Sequence, residues 1–217
     1  NNDLQKILFG LDTLVHKHNA TEEFDQEMVL QLMEIVNYSS RNIELVNKIF
    51  AVLQSETPGE TEQLKVLKLI NDAINNFIPS SYLEQIEIQE SILSSIVLEA
   101  DNNLFDVFSE LLRFIVSTRS SVLDSDHSDP SILIDASILS SNLCIRIRDT
   151  NSQPISELLS TELISTITEK WVSRGHYLPI ALASVIMKYY DGSLKITPLD
   201  PKGNSFELLF PLKMIIH

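Results

Sequence analysis

The stretch that most constrains the fold runs from Asp129 to Arg148, DPSILIDASILSSNLCIRIR. It is long, apolar on several sides, opened by an Asp-Pro pair and closed by two spaced arginines. A run of that length with few turn residues reads as a buried helix. Much of the chain repeats the pattern: a capped apolar helix, a short polar loop, another apolar helix.

The first helix is expected over Asp3 to His18, with Leu4, Ile7, Leu8, Leu11, Leu14 and Val15 on one face. Thr21 is placed to cap the second, with Glu22 and Glu23 in its positive first turn. Asn37 to Ser40 reads as a break before a third. Thr57-Pro-Gly-Glu60 looks like a capping box with proline in the first helical position, opening a fourth helix that ends at Pro79. Ser81 with Glu84 opens a fifth through Val97. Asp101 is placed to cap a sixth, which buries Leu104, Phe105, Phe108, Leu111, Leu112 and Ile115. Residues 117–128, STRSSVLDSDHS, form the longest polar loop. After Asp129–Arg148, a loop over Asp149–Gln153 leads to a helix opened by Pro154. Gly175 suits that helix's end. Pro179 to Tyr190 is a further helix, stopped by Gly192. Ser193 to Leu212 fits either a hairpin turning at Pro201–Asn204 or a final helix; the helical context favours the helix, although Pro211 fits poorly inside one.

Composition agrees with helices. Only 5 glycines and 8 prolines occur in 217 residues, few for a chain of many tight turns. With 44% hydrophobic residues a sizeable core is available. The formal charge of −14 is uneven: 6 basic against 19 acidic residues up to Glu110, and 10 against 11 afterwards. An acidic surface disfavours direct nucleic-acid binding. The lone Cys144 excludes an internal disulfide and fits a reducing, intracellular setting, in cytoplasm or nucleus. No apolar run approaches the roughly 20 residues of a membrane span. The chain opens on Asn1 inside an apparent helix, so it reads as a fragment of something longer.

Paired helix starts recur at about 36 to 50 residues, which brackets the helical-repeat units of about 40–47. No single hairpin can bury its own faces, so the units must stack. The segment Ala136–Arg146, ASILSSNLCIR, resembles the third helix of an armadillo repeat through Leu139-Ser-Ser-Asn142-Leu143. That resemblance implies that Asn142 faces a concave groove and hydrogen-bonds an extended peptide, with Arg146 one turn further on. The expected fold is therefore all-α: one right-handed α-solenoid of stacked hairpins, armadillo/HEAT-like, with about nine to ten helices over residues 1–217.

Catalytic chemistry is not visible. His16 and His18 are two apart on a helix, so they diverge instead of converging on a metal with Glu22 and Glu23. Nucleophile elbows, phosphate loops, dinucleotide fingerprints and paired-cysteine zinc spacings are missing. So few glycines make a backbone-cradled phosphate site hard to build. The expected function is a non-enzymatic scaffold or adaptor that binds a partner peptide or helix, with no cofactor and no metal. Its candidate contacts are Asn142, Arg146, Arg148, Lys170 and Arg174. The alternatives are a nucleic-acid-associated repeat using those C-terminal cations, and a regulatory domain of a larger enzyme or chaperone cofactor.

Overall fold

The computed structural model describes residues 9–10, 26–55, 59–118, 131–139, 142–152, 155 and 177–216. The chain divides into two compact units, 1–48 and 49–217. The all-α solenoid is not what forms. The second unit is an α/β structure with two sheets, and the armadillo/HEAT resemblance falls with the solenoid.

The elements in order are α1 (Gln26–Gln54), β1 (Glu62–Lys65), α2 (Val66–Phe77), the single turn α3 (Ser80–Leu83), β2 (Ile86–Ile88), the single turn α4 (Glu90–Leu93) and β3 (Val97–Ala100). They continue with α5 (Asn103–Thr118), β4 (Ile132–Leu139), β5 (Asn142–Asp149), α6 (Leu178–Tyr189), β6 (Ser193–Pro198) and β7 (Asn204–Pro211). A 3-10 turn at Leu212–Met214 and the short β8 (Ile215–Ile216) follow.

The Asp129–Arg148 stretch carries the main correction. It forms two antiparallel strands, with Ile132 opposite Asp149 and Leu139 opposite Asn142. The reason is period. Ile132, Ile134 and Ala136 alternate along one strand, as do Leu143, Ile145 and Ile147 along the other, and all six are buried. Alternation puts every second side chain on one face of a sheet. β-Branched isoleucines at those positions favour the strand further. The same residues also satisfy helical spacing loosely, which is why so apolar a stretch reads as a helix.

Other boundaries shift for related reasons. The break expected at Asn37–Ser40 does not occur; α1 runs through it for 29 residues. The fourth helix starts at Val66, after β1, and not at Thr57. The fifth helix is replaced by the turn α3, β2, the turn α4 and β3. The C-terminal stretch is the hairpin and not the helix. Two helices form where the sequence places them, α5 and α6. Asp101 caps α5, its carboxylate accepting the Asn103 N–H at 2.9 Å. The first expected helix lies outside the described residues except for Phe9 and Gly10, which are helical. The expected polar loop over 117–128 lies outside them too, except that residues 117 and 118 end α5.

The larger sheet has the order β2-β4-β5-β7-β6, with β2 parallel to β4 and the other pairs antiparallel. Its inner face presents Ile134, Ile147, Phe206, Leu208 and Ile196, all buried. Helices α5 and α6 pack against each other, and α6 lies on β6 and β7. Phe114 of α5 meets Phe206 of β7 edge-on, ring centroids 6.3 Å apart. Every residue of α6 from Leu178 to Met187 is buried. A helix apolar on all sides belongs in an interior, and this one forms the centre of the unit. On α2, the Phe77 ring lies tilted beside Phe105 of α5, centroids 6.0 Å apart, and the Arg113 guanidinium lies 4.1 Å over the Phe77 ring. The smaller sheet has the order β1-β3-β8.

Candidate functional site

The two faces of β5 have opposite chemistry. Arg146 and Arg148 stand on the outer face, on the same strand and two residues apart. Arg148 Nη2 donates to Asp135 Oδ2 at 2.8 Å, and Arg146 Nη1 to Asp135 Oδ1 at 3.3 Å. Arg146 Nε also reaches Glu207 Oε1 at 3.3 Å, and Lys195 Nζ lies 3.9 Å from Glu207 Oε2. Burial opposes the charge of Arg146, but the Asp135 and Glu207 carboxylates outweigh it and raise its affinity for the proton. Two residues before Arg146 on this face lies Cys144, fully buried, its thiol pushed up first by burial and then by Glu207. Asn142 opens the strand, half-buried, opposite Leu139 and Pro211. The arginines thus sit in a cross-strand ion-pair ladder and not along stacked helices. Lys170 and Arg174 lie outside the described residues, as do His16, His18, Glu22 and Glu23.

The inner face ends differently. Asp149 follows Ile145 and Ile147 in the core-facing register, opposite Ile132 on one side and Asn204 on the other. Its exposure is 0%. A carboxylate in that register works against the core, because a buried charge costs several kcal/mol unless hydrogen bonds meet it. Positions where a chain departs from its own pattern are where function concentrates. Oδ1 of Asp149 accepts the Asn151 N–H at 3.1 Å. Asn204 lies beside it at 1% exposure. Its Nδ2 donates to Ser152 Oγ at 2.9 Å, and its Oδ1 accepts the Ile155 N–H at 2.8 Å. Thr150 N–H donates to Ser131 O at 3.0 Å, and Gly203 N–H to Ser152 O at 2.9 Å.

Gly203 makes this knot possible. Its φ is +100°, and a Cβ there would lie 2.0 Å from the Asp149 carbonyl oxygen. Only glycine lets the β6–β7 turn press this closely on the end of β5. Sequence reasoning passed over Asp149, Ser152, Gly203 and Asn204. The available signal was the Asp-Thr-Asn-Ser run directly after an apolar alternation, together with a Gly-Asn pair after Pro201.

A second buried polar group holds the framework together. The Tyr190 hydroxyl donates to the Asp101 carboxylate, which also accepts the Gly59 N–H at 3.2 Å. Burial, then the bond to Asp101, pushes the Tyr190 phenol above its usual range. Among the described residues no group of three or more His, Cys, Asp or Glu side chains comes together to hold a metal, and no helix is long and apolar enough to cross a membrane.

No family model matches the sequence, and no curated protein does. Solved structures match its fold. The histidine kinase AdeS of Acinetobacter baumannii superposes with a TM-score of 0.58 at 13% identity, over 96% of this chain and 94% of that one. Full-length ShkA in complex with AMPPNP gives 0.61 at 13% identity, over 97% of this chain. The chain spans 45% of ShkA. Histidine kinase ThkA in complex with the response regulator protein TrrA gives 0.60 at 14% identity, over 97% of this chain and 59% of that one. The isolated catalytic domain of ThkA gives 0.51 at 15% identity, over 70% of this chain and 96% of that one. These findings overturn the armadillo/HEAT assignment and remove the basis for a non-enzymatic scaffold, which had followed from the solenoid. The alternative of a nucleic-acid-associated repeat, which needed stacked helices, goes with it. The chain has the fold of these histidine kinase structures, an α/β architecture.

Proposed function

We propose that this chain is the adenine-nucleotide-binding part of a histidine-kinase-type signalling protein. The observation that carries this reading is the likeness to AdeS over nearly the full length of both chains. It is supported by the AMPPNP complex of ShkA, since AMPPNP is a non-hydrolysable analogue of ATP. The residues fit the base end of such a ligand. A buried carboxylate is the acceptor that reads an exocyclic amino group, and Asp149 stands where the sheet ends and the polar turn begins. A protein partner of response-regulator type belongs to the same proposal, by analogy with the ThkA–TrrA complex. Asn142, Arg146 and Arg148, on the outer face, are the contacts we propose for it.

The test is thermal denaturation with increasing AMPPNP, adenosine and guanosine. A ligand that binds only the folded state stabilises it by about 2.7 kcal/mol at a hundredfold excess over its Kd. The adenine compounds raise the melting temperature in proportion to the logarithm of concentration, and guanosine does not. Flat curves for every adenine compound into the millimolar range overturn the reading.

A further inference from the structure

Resting on that reading, we propose a narrower ligand class for the same site: an adenine nucleoside recognised through its base and sugar, with the phosphates contributing little to affinity. Anions are held in proteins by free backbone N–H groups, most often in glycine turns or at helix starts, and by uncommitted cations. Among the described residues around Asp149 those groups are already used. The N–H of Thr150, Asn151, Ile155 and Gly203 each donate within the protein, at 3.0, 3.1, 2.8 and 2.9 Å.

Two other described glycines, Gly192 and Gly59, are committed as well. Gly192 N–H donates to Met187 O at 2.8 Å, and Gly59 N–H to Asp101 Oδ2 at 3.2 Å. Gly10 lies in the first unit and Gly175 outside the described residues. Helix α6 offers no anion site at its start. Proline occupies one of its first two positions, removing a donor, and Leu178 to Ala181 are buried.

Charge points the same way. Arg146 and Arg148 are held by Asp135 and Glu207 on the face of the sheet opposite to Asp149. Lys202, beside Gly203 in the β6–β7 turn, is exposed, where water screens it. With a net charge of −14, the whole chain repels a tetra-anionic nucleotide. What the knot offers instead is a carboxylate, a carboxamide and a hydroxyl, partners for an uncharged hydrogen-bonding edge.

The test compares adenosine, ADP and ATP by calorimetric titration of the intact chain, with and without magnesium, and adds inorganic tripolyphosphate as a competitor. The expected result is three dissociation constants within tenfold of one another, unaffected by magnesium, and no displacement by tripolyphosphate. ATP binding more than tenfold tighter than adenosine overturns the proposal, as does a magnesium requirement or competition by tripolyphosphate, while leaving the nucleotide reading intact. Absence of binding by all three overturns both.

Discussion

Three residues set the local terms of this structure. Gly203 lies at φ +100° against the Asp149 carbonyl, so any side chain there must move the β6–β7 turn off the end of β5. Gly203→Ala is expected to cost about 2 kcal/mol or more, measured by urea unfolding. A variant within about 0.5 kcal/mol of wild type would mean the turn is not pressed there. Tyr190 joins the end of α6 to the cap of α5 through Asp101. Removing a hydrogen bond to a charged group costs about 1.5–3 kcal/mol, and Tyr190→Phe is expected to lose that amount at neutral pH. The phenol's proton affinity is raised by folding. Its contribution is therefore complete below the unfolded tyrosine value of about 10 and declines at higher pH. The gap between wild type and Tyr190→Phe is expected to narrow as unfolding is repeated from pH 9 to pH 11; a constant gap contradicts the assignment. Cys144 is sealed in the sheet with its thiol pushed up. Native protein at pH 8 is expected to react with a thiol reagent at least about tenfold more slowly than urea-unfolded protein, and equal rates would place the residue elsewhere.

At the scale of elements, the β4–β5 hairpin decides how much of the fold is legible. Strand alternation was present in Ile132-Leu-Ile-Asp-Ala-Ser-Ile and in Leu143-Cys-Ile-Arg-Ile. It was masked because the strand residues on both faces include apolar ones: Leu133 and Cys144 sit opposite in phase to Ile134 and Ile145. A continuous apolar run cannot separate a buried strand from a buried helix by period alone. Helices α5 and α6 were readable because their caps, length and stops agree: Asp101 before one, Pro179 and Gly192 around the other. The arginines of β5 stand out in the sequence, but their pairing with Asp135 and Glu207 does not, since cross-strand pairing depends on a register that sequence spacing does not reveal. The knot at Asp149 escaped for the same reason: residues 149, 152 and 204 converge only once β5 and β7 pair. Because Asp135 holds two arginines at once, Asp135→Asn is expected to destabilise more than Arg148→Gln, by about 1 kcal/mol or more, with part of the difference removed by high salt. Equal losses would show that the ladder is not shared.

At the scale of the molecule, a 169-residue unit from Ile49 to His217 carries both sheets, the helix α6, buried from Leu178 to Met187, and the polar knot. Its likeness to histidine kinases is one of fold, reached at 13–15% identity, so the chemistry must be argued from this chain's own residues. Those residues put hydrogen-bonding groups at the end of β5 and commit the nearby backbone donors and arginines to internal partners. The direct test is a map of backbone amide shifts as adenosine is added to isotope-labelled protein. The account predicts saturable changes concentrated at Asp149–Ser152 and Gly203–Asn204. Changes confined to the outer face around Asn142, Arg146 and Glu207, or none at millimolar ligand, would contradict it.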